Sequence, residues 1–294
     1  MNVIPLDSVD DERLAVYTQL TNHQLRNVLD PARAVLIAES ETVVRVALQA
    51  GLEPLSVLIE DRWLPQFEER LVGLLPAGIE VFTLPTEQTK KLTGYRVTRG
   101  ILCAMRRPAL RPVCEVLKRA KSVVVLEEVS DTTNIGAIAR NAAALGIDGF
   151  LLSPTSADPY ARRAIRVSMG TMFQLKIARF NEKQWPQQAF DMLHEAGFSC
   201  YALALDEHAY ELGSPELPYH EKQALFFGSE GDGLTKEAVN ACDYVVKIPM
   251  SRGVDSLNVA AASAVACWEL VTRKSLEAER DLSRKGSEQD GSAE

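Results

Sequence analysis

Short apolar runs alternate with stretches of helical periodicity along most of this chain, and that alternation restricts it to the α/β class. In the second half the runs are Ser122–Leu126, Gly149–Leu152, Leu175–Ala178, Phe198–Leu203, Ala224–Phe227 and Tyr244–Ile248. Helical patterns lie between them at 132–145, 158–170, 184–196 and 235–241. In the first half, Val35–Ala38, Leu55–Ile59, Glu80–Leu84 and Ile101–Met105 read as strands, with helices over Asp11–Val28, Glu41–Ala50 and Trp63–Leu74. A chain of 294 residues holds two domains. The reading places an α/β domain at 1–107, a proline-bearing basic linker at 108–121 and a second α/β domain at 122–272. The polar tail, 273–294, reads as disordered.

Three stretches of the second domain stand out. Asp131-Thr-Thr-Asn-Ile-Gly-Ala-Ile-Ala-Arg140 opens a helix whose start Thr132, Thr133 and Asn134 can cap. Its buried face is Ile135, Ile138, Ala142 and Leu145, and Gly146 ends it. Leu225-Phe-Phe-Gly-Ser-Glu-Gly-Asp-Gly-Leu234 is a strand running into a glycine-rich turn. It lacks the spacing of a dinucleotide-binding fingerprint, which disfavours a dehydrogenase. Lys247-Ile-Pro-Met-Ser-Arg-Gly-Val-Asp-Ser-Leu-Asn-Val-Ala-Ala-Ala262 is a strand end, a polar loop and the start of an alanine-rich helix. Asp255 or Ser256 can cap that helix, and Leu257, Ala261, Ala264, Val265 and Trp268 form its apolar face.

No apolar run approaches the roughly 20 residues that span a membrane, and the acidic N-terminus lacks the blocks of a signal peptide. Five scattered cysteines with no CxxC pair, and four histidines without ligand spacing, point to a reducing cytoplasm and to no metal site. The net charge of −8 argues against nucleic acid as a partner. The distribution argues the other way: between Lys90 and Arg119, nine basic residues, among them Arg96, Arg99, Arg106 and Arg107, face only Glu115. That window is either a phosphate-binding surface or a solvated linker.

The three stretches, in this order, resemble the three motifs of the SpoU/TrmH class of SPOUT RNA 2'-O-ribose methyltransferases, over roughly Val123–Leu270. The resemblance implies a C-terminal α/β-knot domain with a parallel sheet and a homodimer in which the small-residue face Ala260–Ala264 packs against a second subunit. It implies methyl transfer from S-adenosylmethionine to a ribose 2'-hydroxyl, with S-adenosylhomocysteine as product and no metal. RNA is the implied partner, ribosomal ahead of transfer RNA, with no DNA. The implied catalytic residues are Asn134, Arg140, Glu230, Ser256 and Asn258. A guanidinium carries no proton acceptor, so Arg140 is assigned to the neighbouring phosphate and to polarising the hydroxyl, with Glu230 placed to orient it. Leu205, Gly228, Ile248, Met250 and Leu257 are the implied cofactor pocket. Arg162, Arg163 and Arg166 match a basic segment facing RNA or the partner subunit; without the resemblance they make a solvated helix face. Leu36–Glu41 and Gly94–Leu102 resemble pieces of the ribosomal-protein-like substrate-binding domain that precedes the family's catalytic domain, with Ser40 where the family carries glycine. A transfer-RNA enzyme and a non-catalytic RNA-binding protein of the same fold are the competing readings.

Overall fold

In the computed structural model, which describes residues 1–19, 22–27, 30–93, 100–253 and 255–277, the apolar runs become strands of two separate sheets. The first contains β1 (Asn2–Pro5), β2 (Val35–Glu39), β3 (Pro54–Glu60), β4 (Glu80–Leu84) and β5 (Ile101–Arg106) in the order β1-β4-β3-β5-β2. Its β1, β4 and β3 are parallel, and β5 runs antiparallel to both β3 and β2. The second contains β6 (Ser122–Leu126), β7 (Gly149–Leu152), β8 (Lys176–Arg179), β9 (Ser199–Leu203), β10 (Tyr210–Glu211), β11 (Gln223–Phe227) and β12 (Tyr244–Lys247). Its order is β10-β12-β9-β11-β6-β7-β8, and every pairing is parallel. All residues of β6, β7 and β11 are buried, as a parallel sheet covered on both faces requires.

The chain divides into two compact units, Met1–Ala109 with Asp158–Gln174, and Leu110–Ala157 with the chain from Leu175 onward. In the first, the helix Arg162–Val167 packs against β2, and the Arg107 guanidinium lies 2.5 Å from Asp158 and 4.9 Å from the Tyr160 ring centroid. In the second, one face of the sheet is filled by Val125, Phe190, Leu193 and Phe226, the two phenyl rings stacked at 4.9 Å. On its other face the helices Thr132–Ala144 and Val259–Cys267 meet, and Asn141 Nδ2 donates to the Ala260 carbonyl at 2.7 Å and to Ser263 Oγ at 3.1 Å.

Several local expectations are corrected. Residues 113–119 are not linker but a helix, because Val113, Val116 and Leu117 supply one apolar face to the second core. The helix expected over 11–28 is broken into Glu12–Leu14, Ala15–Thr18 and Asn22–Arg26; Thr18 Oγ1 bonds back to the Leu14 carbonyl at 3.1 Å, the kind of local bond that competes with helix growth. Only Arg162–Val167 of the segment 158–170 is helical. The strand β1 had no counterpart in the reading. Asp131, not Thr132–Asn134, caps the helix Thr132–Ala144, and Asn258, not Asp255 or Ser256, caps Val259–Cys267. The latter helix buries Val259, Ala260, Ser263, Ala266 and Cys267, so the face expected to be core, with Ala261, Val265 and Trp268, points outward. Its axis continues through a wider π turn at Trp268–Thr272 to Glu277; the remainder of the tail lies outside the described residues. No helix among the described residues is long and apolar enough to cross a membrane.

Candidate active site

The parallel sheet sets the place. From β6 the chain winds outward through β7 and β8, then crosses to β9 on the far side of β11, so the winding direction changes beside the β11–β6 pair. Loops leaving the carboxyl ends of strands at such a reversal diverge and leave a crevice. Here they are Glu127–Asp131 after β6 and Gly228–Leu234 after β11. Between them lies a cavity of about 380 Å³ lined by Glu128, Val129, Ser130, Asp131, Asn134 and Ser229–Asp232.

The glycine-rich turn is folded tightly on itself. Ser229 and Gly233 exchange backbone hydrogen bonds, each 3.1 Å. A Cβ on Gly228 would come 2.0 Å from the Gly233 carbonyl carbon, so no other residue fits there. Glu127, 1% exposed, anchors the far end of the turn: its carboxylate accepts from the Thr235 backbone N–H at 2.8 Å and from the Thr235 hydroxyl at 3.0 Å. Burial pushes the Glu127 carboxyl up from its ordinary range. Next to it, Glu128 sits in the left-handed region at φ 55° and is one of the residues that line the cavity.

Three distant stretches meet at one junction. Asn134, 5% exposed in the first turn of its helix, donates through Nδ2 to Glu230 Oε1. Asn258 Nδ2 donates to Glu230 Oε1 at 2.8 Å and to Asn134 Oδ1 at 3.2 Å. Asn258 Oδ1 accepts from the Ala260 N–H at 2.9 Å, which is its helix cap. The two amides and the carboxylate thus hold the β6, β11 and β12 loops together.

Other expected site residues lie elsewhere. Arg140 is exposed and makes no hydrogen bond or ion pair among the described residues. Six helical positions, a net angular offset of about 120°, separate it from Asn134, and the groups that bond Glu230 are the Asn134 and Asn258 amides, so the expected Glu230–Arg140 pair is not formed. Ser256 is exposed in the loop after β12. Gly228 is buried, Ile248 and Met250 are half-buried, and Leu205 and Leu257 are 63% and 38% exposed. The loops carrying these groups follow β9, β11 and β12, which are adjacent in the sheet. Of the basic residues, Arg107 is bound by Asp158, Arg106 lies 3.6 Å from Glu53, and Arg162 and Arg166 approach Glu39 at 3.3 and 3.8 Å. Arg163 is exposed; Arg96 and Arg99 lie outside the described residues. The reading missed Glu127, Thr235, Asn141 and Ser263; a carboxylate directly after an all-apolar strand was the one signal available for Glu127.

Among the described residues one cluster of metal-ligand types forms: donor atoms of His194, Cys200 and Asp243 lie within 4.8 Å of one another. Asp243 Oδ2 accepts the Cys200 N–H at 2.7 Å and faces His194 Nε2 at 3.2 Å, so hydrogen bonding accounts for the cluster, at the amino end of β9 and away from the cavity.

The SpoU rRNA Methylase family profile matches residues 121–268, a span that includes both loops and the Asn134–Glu230–Asn258 junction. The chain belongs to that family. A tRNA/rRNA methyltransferase of Mycobacterium bovis is 38% identical over 263 residues, 88% of each chain. The 23S rRNA (guanosine(2553)-2'-O)-methyltransferase of Bacillus subtilis is 27% identical over 236 residues, 80% of this chain and 87% of that one. The AdoMet-bound rRNA methyltransferase of Sinorhizobium meliloti superposes with a TM-score of 0.75 at 22% identity, covering 91% of this chain and 97% of that one, a likeness of fold. Membership makes the protein an RNA methyltransferase that draws its methyl group from S-adenosylmethionine.

Proposed function

We propose that this SpoU-family enzyme methylates a ribose 2'-hydroxyl in structured RNA, ribosomal RNA ahead of transfer RNA. The observation that carries the proposal is the junction of Asn134, Glu230 and Asn258, of which Asn134 and Glu230 line a polar cavity at the carboxyl ends of β6 and β11. The family profile and the Bacillus subtilis relative support the ribosomal substrate. On this reading Gly228, Ile248 and Leu257, with Leu205 and Met250, hold S-adenosylmethionine, which supplies an activated methyl group when bound. Asn134 and Asn258 fix Glu230, while Ser256 and Arg140 contact the RNA, Arg140 through the phosphate beside the target ribose. Alignment of hydroxyl oxygen, methyl carbon and sulfur is worth up to roughly 7–11 kcal/mol in favourable systems, so positioned loops can account for much of the rate.

The same reading makes the first unit the ribosomal-protein-like RNA-holding domain, gives the second a trefoil knot, and places the enzyme in the cytoplasm. Arg96, Arg99 and Arg106 then add phosphate contacts, with Arg162, Arg163 and Arg166 facing RNA or a partner subunit; Arg107 is excluded by its ion pair with Asp158. Two copies pair through the outward stripe of Ala261, Val265 and Trp268. The deciding experiment maps 2'-O-methyl positions in total RNA from cells with and without the protein. One position lost with the protein and regained with its return supports the reading; an unchanged map rejects it.

A further inference from the structure

Glu230 is held by one oxygen only. Its Oε1 accepts both amide donors, from Asn134 and from Asn258, and among the described residues no donor reaches Oε2. The side chain is exposed on the wall of the cavity. Such a carboxylate is fixed in place by one edge and keeps two lone pairs free on the other.

A methyl transfer to a hydroxyl must dispose of a proton, and the cavity restricts where it can go. Its wall contains no Lys, Arg or His, and its strongest acceptors are the carboxylates of Glu128, Asp131, Glu230 and Asp232. Asp131 is occupied through Oδ1 by the Thr133 N–H of the helix cap. Glu128 and Asp232 carry no amide clamp like that on Glu230. Arg140 has five N–H donors and no acceptor, and it is not among the residues that line the cavity. The charged groups that line the cavity with Glu230 are Glu128 and Asp131 from the loop after β6 and Asp232 from its own loop; the residue it bonds from the loop after β12 is the neutral Asn258.

We propose that Glu230 is the general base of the reaction, an inference that rests on the 2'-O-ribose reading above. Oε2 takes the hydroxyl proton while the ribose oxygen bonds to the methyl carbon. The carbon–sulfur bond breaks with its electron pair left on sulfur, which turns the sulfonium into a thioether. The proton on Glu230 then passes to water. Asn134 and Asn258 are positioning residues, since they act by fixing Oε1.

The test is Glu230→Gln in the full chain. A glutamine carbonyl still accepts from both amides, so the junction survives and only the base is lost. Single-turnover methylation of total RNA from cells lacking the protein is expected to fall by about 100-fold or more, the usual contribution of a positioned base being roughly 10²–10⁴. S-adenosylmethionine affinity by calorimetry should stay within threefold, and the melting temperature should hold. The rate of the unaltered enzyme should fall on acidification, and that limb should vanish in Glu230→Gln while persisting in Glu128→Gln, Asp131→Asn and Asp232→Asn. Glu230→Asp, which keeps a carboxylate, should run at least tenfold faster than Glu230→Gln, a comparison that stands even if both variants melt early. Retention of the rate within tenfold in Glu230→Gln overturns the inference, as does persistence of its acid limb. An unaltered enzyme that methylates RNA at a base instead of a ribose overturns the underlying reading, and this inference with it.

Discussion

Asn258 Nδ2 lies 2.8 Å from Glu230 Oε1 while the Oδ1 of the same amide caps the helix Val259–Cys267. One side chain thus starts a helix and fixes a carboxylate on a different loop. Asn258→Ala removes these two bonds and the one to Asn134 Oδ1. We expect a stability loss of about 0.5–2 kcal/mol, the usual cost of a lost cap, and a larger fall in methylation rate than that loss explains. Asn258→Asp keeps the cap but sets a second carboxylate against Glu230. Urea midpoints should therefore separate the two variants, while single-turnover rates should be low in both.

Gly228→Ala should damage the protein, and Gly231→Ala should not. The first would place a Cβ 2.0 Å from the Gly233 carbonyl carbon; the second has nothing within 4 Å. Overpacking typically costs about 1–3 kcal/mol, and here the obstacle is backbone. Equal urea midpoints for the two variants would refute the tight turn.

Arg140→Ala is expected to leave folding and S-adenosylmethionine affinity intact, the latter within threefold, because Arg140 is exposed and outside the junction. Methyl transfer should fall roughly a hundredfold, as removal of one charge stabiliser costs about 2.7–4 kcal/mol. Calorimetry paired with single-turnover kinetics checks this. Unchanged turnover would return Arg140 to the role of an ordinary surface arginine.

Glu127 gives a pH dependence with a defined sign. Its folded pKa is raised by burial, so the folded state holds the proton more tightly than the unfolded chain does. Its contribution to stability is fully present below the ordinary carboxylate range and is lost as pH rises through the raised folded value. The stability of the unaltered protein minus that of Glu127→Gln should therefore decline with rising pH across that window. Urea unfolding from pH 4 to pH 8 measures it, and a flat difference contradicts the burial argument.

Val265 and Trp268 are 40% and 47% exposed on the outward face of their helix. If two copies pair there, Val265→Asp with Trp268→Asp should yield a monomer of 32.4 kDa in sedimentation at micromolar concentration, while the unaltered chain sediments as a dimer. A monomeric unaltered chain would reject the pairing.

Most of this fold could be read because its signals are local. All-apolar β6, β7 and β11 announce themselves by composition, and Gly146, with φ +79°, ends a helix where a glycine was expected to. What escaped was set by distant contacts. The strand Asn2–Pro5 exists because β4 offers it an edge, which four residues of sequence cannot reveal. Asp131 and Asn258 outcompete neighbouring serine, threonine and aspartate as caps through the geometry of their loops. The outward turn of Val265 and Trp268 follows from which face Asn141 engages on the neighbouring helix. The site was legible in its residue types, since Asn134, Glu230 and Asn258 do meet, but not in its wiring. Arg140 and Glu230 read as a pair, yet Glu230 is bonded by the Asn134 and Asn258 amides and not by Arg140.

The helix Arg162–Val167 packs against β2, the edge strand of the first sheet, although some 120 residues of chain lie between them. This has a consequence during synthesis. A nascent chain that has just emerged through Arg107 holds every strand of that sheet but not the helix that packs against β2. Until Gln174 has been made, the part of β2 that this helix covers stays open to water and to other chains. A fragment cut at residue 107 would keep that exposure permanently, whereas one carrying 158–174 on a short tether would not.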